Sequence, residues 1–308
     1  MTSQGEHAAS KRPFIVAVGG GKGGIGKSLI SANLAVTLGQ RGHRVVLFDA
    51  DLGGANAHTC LGLAAPAATV ADFLRRESLR LGDIASPTPY ANVSLVSGAL
   101  DWMQAANPRP AEKARLGEAL LQLDCDIVVI DLGAGTSLHT IDFFLLADRG
   151  VVALVPEPTA IENAYRFMKM ACIRRLQAIE LSTLSKPTVS RVLGDNTRKG
   201  LKSPAELLRE IRAFDGSLAA RLKYELERFP FALVVNQVRT EEEGQLADGI
   251  RQACRRYFGV AIDEAVSVPF AEAAWMAVRK RRPLVDETPE APVAHAIGRI
   301  AQVVEGGL

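Results

Sequence analysis

Cysteines and aromatic residues are scarce in this sequence. The four cysteines, Cys60, Cys125, Cys172 and Cys254, stand far apart, and none belongs to a C-x-x-C pair. Structural zinc sites and iron–sulfur sites use closely spaced cysteines, so this spacing argues against both kinds of site. Isolated thiols are typical of proteins in the reducing cytosol, and we therefore expect a cytoplasmic protein.

Long apolar runs and a strong charge of one sign are also missing. No stretch of about 18 apolar residues occurs, so the sequence predicts no transmembrane helix. Residues 1–12 are polar and lack an apolar core, so we expect no signal peptide and predict a disordered tail. The formal net charge of +2 does not by itself favour a nucleic-acid partner.

The sequence does contain a regular alternation of short apolar runs and amphipathic helix patterns. Runs of this kind predict buried strands of a parallel sheet, connected by helices. The alternation therefore predicts an α/β fold with a doubly wound, mainly parallel sheet and helices on both faces. Strands are predicted at 14–18, 45–48, 93–96, 127–130, 151–155, 232–235 and 265–268, and helices at 27–41, 69–76, 110–123, 138–147, 160–179, 241–257, 270–280 and 292–305.

A glycine-rich segment lies between the first predicted strand and the first predicted helix. Residues 21–28 read G-K-G-G-I-G-K-S and fit the phosphate-binding pattern G-x-x-x-x-G-K-[ST] in full. Lys27 is expected to reach the β- and γ-phosphates of a nucleotide, and the Ser28 hydroxyl is expected to ligate Mg2+. Backbone contacts to phosphate are expected from the intervening residues, which are Gly21, Gly23, Gly24, Ile25 and Gly26.

The phosphate-binding segment assigns the chain to the P-loop NTPase fold. We predict a single ATPase domain over residues 13–308. Residues 181–228 are richer in charge and mostly helical by periodicity, but a strand pattern resumes at Phe231. We therefore interpret 181–228 as a helical insertion in this domain.

Aspartates directly follow two of the predicted strands. Asp49 and Asp51 come after strand 45–48, and Asp131 comes after strand 127–130. The carboxyl ends of parallel strands share one edge of the sheet, so these carboxylates can lie beside the triphosphate and hold Mg2+ or orient water. The ordinary alternatives are helix caps and Asp-Gly turns. Beside a P-loop we favour function and predict Asp131 as a Mg2+ partner.

Two further residues end later strands of the predicted sheet. Asn236 follows strand 232–235 and Pro269 follows strand 265–268. Both should lie at the carboxyl edge, where a nucleotide base could sit, although a strand-end cap and a turn proline are the simpler interpretation. The guanine-specific N-K-x-D is absent, because the chain continues as Asn236-Gln237-Val238-Arg239. This favours ATP over GTP.

Lys22, directly after Gly21, distinguishes this segment from an ordinary P-loop. The form K-G-G-x-G-K-S resembles the deviant Walker A motif of the MinD/ParA family of ATPases, and the resemblance extends from residue 13 to about residue 285. The segments D-A-D-L-G-G-A-N (49–56), D-L-G-A-G-T (131–136) and P-E-P-T (156–159) are most similar to the FlhG/FleN branch.

This resemblance implies a role for each matching residue. Lys22 would reach across a dimer interface to the nucleotide of the partner. Asp51 would position the hydrolytic water, and Asp49 would support the metal. Asn236 and Pro269 would flank the adenine. The implied cofactors are ATP and Mg2+.

The resemblance also implies a function. It points to a slow, partner-stimulated ATPase that forms an ATP-dependent homodimer. The dimer would recruit a protein regulator or cargo. Its cellular role would be to set the number or placement of flagella, or to position another structure in the way that a division site is positioned. Pole or membrane association in the ATP state, by peripheral contact, is part of that expectation. The alternatives are a ParA-like DNA-partition ATPase, a non-hydrolysing nucleotide-binding scaffold and a biosynthetic ligase. An iron–sulfur carrier of the related Mrp type ranks low, since no cysteine follows Cys254.

Two surface features bear on contacts with membrane or DNA. The last predicted helix carries one apolar stripe, but its opposite face is not strongly basic, so we interpret it as a core helix rather than a membrane anchor. Residues 279–282 read R-K-R-R, a run that suits either a solvated helix end or non-specific phosphate contacts with DNA. The stripe consists of Val293, Ile297, Ile300 and Val304.

Overall fold

The structure, a computed structural model, describes residues 12–308 except 53, 65, 99–107, 183–188, 190, 193–202 and 261. The tail predicted at 1–12 thus lies outside the described residues apart from Arg12. The Arg12 guanidinium donates to both carboxylate oxygens of Asp148, at 3.0 and 2.7 Å. This pair fixes the chain where it enters the sheet.

Strands and helices alternate along the described chain, as the sequence predicts. The strands are β1 (Phe14–Gly19), β2 (Val45–Asp49), β3 (Ser86–Pro87), β4 (Val93–Val96), β5 (Ile127–Asp131), β6 (Arg149–Leu154), β7 (Phe231–Val238) and β8 (Ile262–Pro269). The helices are α1 (Lys27–Gln40), α2 (Ala57–Cys60), α3 (Val70–Arg75), α4 (Pro110–Leu121), α5 (Leu138–Phe144), α6 (Pro158–Ser182), α7 (Pro204–Phe214), α8 (Gly216–Glu227), α9 (Glu241–Phe258), α10 (Glu272–Lys280), α11 (Leu284–Glu287) and α12 (Pro292–Glu305).

The strands of the described chain form one sheet in the order β3-β4-β2-β5-β1-β6-β7-β8. Every neighbouring pair is parallel except β3 and β4, which are antiparallel. The predicted mainly parallel sheet is therefore confirmed. The sequence did not predict β3, because a two-residue strand is too short to carry a periodic pattern.

Alternate residues of the central strand face opposite sides of the sheet. In β1, Ile15 and Ala17 pack into one apolar cluster, with the buried residues of α5, α6 and α8. Val16 and Val18 pack into the second apolar cluster, with the buried residues of α1 and α12. Both faces of the sheet are thus covered by helices, which confirms the doubly wound arrangement.

Strand β7 extends beyond its predicted end. The apolar pattern predicted 232–235, but the strand runs to Val238 and pairs irregularly with β8 between Val235 and Val238. The sequence did not predict this continuation of the strand, because the two residues after Val235, Asn236 and Gln237, are polar and interrupt the apolar pattern. A bulge of this kind redirects a side chain, and here it lies at the carboxyl edge.

Segment 181–228 is helical in the described residues from 204 to 227, which contain α7 and α8. Leu222 and Leu226 of α8 are buried in the same cluster as β6 residue Val152. The interpretation as an insertion into a single domain over residues 13–308 stays a proposal.

The apolar stripe of the last helix lies in the core. Val293, Ile297, Ile300 and Val304 are between 0% and 3% exposed and pack in the cluster that contains α1. This confirms the interpretation of the stripe as part of a core helix. Within the described residues, no helix is both long and apolar enough to cross a membrane.

We predict that Ile297→Ala lowers the free energy of unfolding by about 2 to 5 kcal/mol, because it removes a buried side chain and leaves a cavity. His295→Ala, on the exposed side of the same helix, should change it by less than about 0.5 kcal/mol. Urea denaturation of both variants measures the difference. Equal stabilities would show that the stripe does not pack in the core.

Candidate functional site

The glycine-rich loop joins β1 to α1 at the carboxyl edge of the sheet. Gly24 and Gly26 have φ angles of +76° and +91°, which a residue with a side chain rarely adopts. A Cβ atom on Gly21 would overlap the Asn163 carbonyl oxygen of α6. The loop therefore needs glycine both for its backbone turn and for its close packing. Such a turn exposes backbone N–H groups to a phosphate.

Lys27, the first residue of α1, is buried and lies among opposite charges. Its Nζ atom donates to the Lys22 carbonyl oxygen at 3.2 Å, within the same loop. Burial lowers the pKa of Lys27, and the nearby carboxylates of Asp131 and Asp51 act in the opposite direction. The structure thus brings the predicted phosphate-binding lysine and two predicted carboxylates together.

Asp49 and Asp131 end neighbouring strands and stand side by side in register. Both side chains are almost fully buried, at 0% and 1% exposure. Asp49 accepts hydrogen bonds from the backbone N–H groups of Asp51 and Ala57, at 3.1 and 2.9 Å. Asp131 accepts one from the Ser31 hydroxyl at 3.0 Å. Each carboxylate is held in place by its hydrogen bonds, but neither has an ion-pair partner at salt-bridge distance among the described residues.

Burial raises the pKa of both Asp49 and Asp131 well above the ordinary range of an aspartate. For Asp49 the charge of Asp131 adds to the effect of burial, whereas hydrogen bonds from the Ser28 and Ser31 side chains lower the pKa of Asp131. Two buried carboxylates that resist ionisation are favourable partners for a cation, which would stabilise their charged forms.

These residues fit a Mg2+ ion that is shared with phosphate. No group of three or more His, Cys, Asp or Glu side chains in the described part of the chain forms a ready metal cage. Magnesium in phosphate sites is usually held by one or two carboxylates, with water and phosphate oxygens as the remaining ligands. The pair Asp49 and Asp131 with the Ser28 hydroxyl matches that donor set.

Asp51 occupies a narrow space between two loops. A Cβ atom on Gly133 would lie 3.2 Å from the Asp51 Cγ atom, and one on Gly54 would lie 3.3 Å from its Oδ1 atom. The loop after β2 and the loop after β5 therefore meet at this carboxylate. Asp51 belongs to the first of these loops and lies close to Gly133 of the second.

Asn236 contacts the phosphate loop directly. Its Nδ2 atom donates to the Ile25 carbonyl oxygen at 2.8 Å, and its Oδ1 atom accepts from the Gln237 N–H at 2.9 Å. A Cβ atom on Gly26 would overlap its Nδ2 atom. This geometry indicates that Asn236 holds the loop in place, and it favours that role rather than the predicted contact with a base. Pro269 ends β8 opposite Val238, at the same edge of the sheet.

Lys22 turns away from its own phosphate loop. Its Nζ atom donates to Glu157 Oε2 at 2.7 Å and to Thr159 Oγ1 at 3.2 Å. The side chains of Lys22 and Glu157 are 37% and 58% exposed. The sequence did not predict this pairing, because the two residues are 135 positions apart.

His139 is a buried polar residue that the sequence did not point to. It lies in α5, just after the loop that follows Asp131, and its ring meets Phe143 edge-on at 4.8 Å. Both ring nitrogens are buried, and neither has a hydrogen-bond partner in the described part of the chain. Burial lowers the pKa of His139 to about 4; the charge of Lys113 lowers it further and that of Asp142 opposes this.

Comparison with known proteins agrees with this geometry. A protein-family model described as "CobQ/CobB/MinD/ParA nucleotide binding domain" matches residues 16–283. The antiactivator FleN of Pseudomonas aeruginosa is 26% identical over 294 residues, which cover 94% of this chain and 86% of FleN. The flagellum site-determining protein YlxH of Helicobacter pylori is 32% identical over 155 residues, which cover 50% of this chain and 52% of YlxH.

Solved structures show the same fold. The septum site-determining protein MinD of Pyrococcus horikoshii, complexed with Mg-ADP, superposes with a TM-score of 0.63 at 20% identity. The superposition covers 95% of this chain and 96% of that chain.

We predict that Asn236→Ala weakens the binding of ATP and of inorganic tripolyphosphate alike, by roughly tenfold or less, because one buried hydrogen bond to the loop is lost. The preference for ATP over GTP should not change. Calorimetric titration with the three ligands measures this, with Gln237→Ala as the neighbouring control. Unchanged tripolyphosphate binding together with lost ATP preference would assign Asn236 to the base instead.

We further predict that His139 makes the protein sensitive to acid. The unfolded chain takes up this proton near pH 6.5, whereas the folded protein takes it up near pH 4, so the contribution of His139 to stability falls as the pH falls between these values. The raised pKa values of Asp49 and Asp131 act in the opposite direction over the same range, so the effect of His139 is the difference between two proteins. His139→Phe should be more stable relative to wild type at pH 4.5 than at pH 7 in thermal melts. The same loss in both proteins would show that His139 is not the group responsible.

Proposed function

The chain belongs to the CobQ/CobB/MinD/ParA nucleotide binding domain family, and on that premise we propose that it is a Mg2+-dependent ATPase that works as a nucleotide-gated dimerisation switch. The observation that carries this proposal is the constellation of Lys27, Asp49, Asp51 and Asp131 around the glycine-rich loop. A lysine and three carboxylates at this edge provide what phosphoryl transfer to water requires.

Each residue of the site has a distinct role in the proposed reaction. The loop N–H groups and Lys27 bind the phosphates, and Ser28, Asp49 and Asp131 hold Mg2+, which neutralises phosphate charge when bound. Asp51 orients the attacking water. Asp51 lies in the loop after β2 and close to Gly133 of the loop after β5, so we infer that its position depends on how both loops arrange around the nucleotide. Turnover is therefore slow until a partner fixes the loops.

Lys22 supplies the link to a second copy of the chain. In the single chain its ammonium group is held by Glu157 and Thr159, at the surface and away from Lys27. The exposed ion pair is weak, so it can be exchanged for a stronger contact with phosphate. We infer that Lys22 leaves Glu157 when two ATP-bound chains meet and then contacts the phosphates of the partner.

The relatives suggest what the switch controls. FleN is named as an antiactivator and YlxH as a flagellum site-determining protein. A solved neighbour is a complex of MinD with a protein partner, MinC. By analogy, this chain sets the number or position of a cellular structure, flagella first, by recruiting a protein partner to its ATP-bound dimer.

The test compares three substitutions in ATPase assays and in light scattering with ATP and Mg2+. We expect Lys27→Ala to lose ATP binding. Asp51→Ala should bind ATP and dimerise but hydrolyse at least about 100-fold more slowly. Lys22→Ala should bind ATP as a monomer. Lys223→Ala, in an exposed ion pair of α8, is the matched control and should behave as wild type.

Other outcomes would contradict the proposal in different ways. A wild type that binds ATP, while hydrolysis is absent and Asp51→Ala has no effect, would indicate a non-hydrolysing scaffold. A Lys22→Ala variant that still dimerises with ATP would remove Lys22 from the interface. Glu157→Gln tests the proposal in the opposite direction. This variant releases Lys22 from its ion pair, so it should dimerise at a lower ATP concentration than wild type.

A further inference from the structure

The chain that follows β4 packs against the loop that carries Asp51. Ser97 and Gly98 come directly after β4, at the carboxyl edge of the sheet, and both are buried. A Cβ atom on Gly98 would lie 2.9 Å from the Asp49 carbonyl oxygen and 3.1 Å from that of Asp51. The same atom would lie 3.2 Å from the Ala55 Cβ atom. These distances are shorter than the usual contacts of a Cβ atom, so a side chain at position 98 would press on the loop.

Space, and not backbone conformation, is what requires glycine at position 98. Gly98 is not one of the described glycines with a positive φ angle, so its backbone would accept another residue. A side chain is excluded because two backbone carbonyl groups stand where it would begin. Backbone atoms cannot rotate away as the end of a long side chain can, and a closely packed interior therefore passes the displacement on.

The end of β4 is itself held on two sides. The Ser97 carbonyl oxygen accepts a hydrogen bond from the Val70 N–H at 2.9 Å, and Val70 is a fully buried residue that begins α3. On the other side, Val96 of β4 stands opposite Phe48 of β2 in the parallel ladder. A side chain at position 98 would therefore displace the loop after β2 rather than the end of β4.

Glycines from three segments of the chain enclose Asp51. Gly54 of its own loop and Gly133 of the loop after β5 lie against its carboxylate. Gly98 lies against its backbone carbonyl oxygen, which also accepts the Gly54 N–H at 3.1 Å. The carboxylate and the backbone of Asp51 are thus packed against different segments, and the end of β4 supplies the contact on the backbone side.

We propose that Gly98 is a positioning residue for ATP hydrolysis, and that it sets the place of the Asp51 carboxylate through the backbone of Asp51. The proposal rests on the proposed function, in which Asp51 orients the attacking water. Catalysis of this kind depends strongly on distance, because a misplacement of about 1 Å can cost roughly 100-fold in rate. Gly98 contacts neither the nucleotide nor the water, and it acts only through Asp51.

The end of β2 resists the same displacement better than the loop beyond it. Asp49 is the last residue of β2 and pairs with Asp131 of β5, and its carboxylate accepts two backbone N–H groups. Asp51 lies two residues beyond the strand, outside the ladder of the sheet. A side chain at position 98 should therefore move Asp51 more than Asp49. It should slow hydrolysis more than it weakens the binding of ATP and Mg2+.

The experiment measures steady-state and single-turnover ATP hydrolysis by the full chain, together with the Kd for ATP in the presence of Mg2+. We expect Gly98→Ala to lower kcat roughly tenfold, because a loop shift of a few tenths of an ångström relieves contacts of this length. The KM and the Kd for ATP should stay within about twofold of wild type. Gly82→Ala is the matched control, since its added Cβ atom would meet nothing closer than 3.9 Å.

A double-mutant cycle with Asp51→Ala distinguishes positioning from packing. If Gly98 acts through Asp51, adding Gly98→Ala to Asp51→Ala should cause no further loss of the single-turnover rate. A role in packing alone would slow both backgrounds by the same factor, or would lower the melting temperature and leave kcat unchanged.

A second variant keeps the test valid if Gly98→Ala does not fold, which thermal melts establish. Gly98→Ala combined with Ala55→Gly removes the contact with the Ala55 Cβ atom and keeps both contacts with the carbonyl oxygens. The same loss of kcat at unchanged ATP affinity is expected of this double variant.

Two results would overturn the role of Gly98 alone. The first is a folded Gly98→Ala protein that hydrolyses ATP as wild type does while Asp51→Ala is slow. The second is an equal loss of rate from Gly98→Ala with and without Asp51. An Asp51→Ala protein as active as wild type would instead contradict the proposed function, and the role of Gly98 would fall with it.

Discussion

The candidate site is organised around two buried carboxylates that stand next to each other. Asp49 and Asp131 end adjacent central strands, and burial of both disfavours their charged forms. Such a pair costs stability unless a cation joins it, and this supports the Mg2+ site that we propose. In that proposal, the glycine-rich loop with Lys27 places phosphate where the cation would also find oxygen ligands. Nucleotide and metal would then together compensate the two buried carboxylates.

The same site suggests how a small ligand could control the assembly that we propose. The loops after β2 and β5 approach each other closely at Asp51, next to the strands that end in Asp49 and Asp131. Lys22 is held at the surface by Glu157 in an exposed ion pair, which a partner's phosphates can replace. In the proposed mechanism, nucleotide binding at the buried charges would therefore act on an exposed group that a second copy of the chain contacts.

The sequence alone predicted the parallel sheet and the edge at which its polar residues gather. Asp49 and Asp131 were foreseen because an aspartate after four apolar strand residues must lie at the carboxyl end of a strand. The contact of Asn236 with Ile25 was not foreseen, since it depends on a bulge in β7 that apolar periodicity does not reveal. Neither was the pairing of Lys22 with Glu157, because long-range side-chain contacts leave no local pattern. His139 was missed for the same reason.

The central claim is that each active site is completed by Lys22 of a second chain. It is tested most directly by mixing Lys22→Ala protein with Asp51→Ala protein and measuring ATP hydrolysis. In a mixed dimer, the Lys22→Ala chain keeps its own Asp51 and receives Lys22 from the other chain, so one site is whole. The account predicts that two inactive proteins regain activity when mixed, up to about one quarter of wild type for random pairing. A mixture as inactive as its components would contradict it.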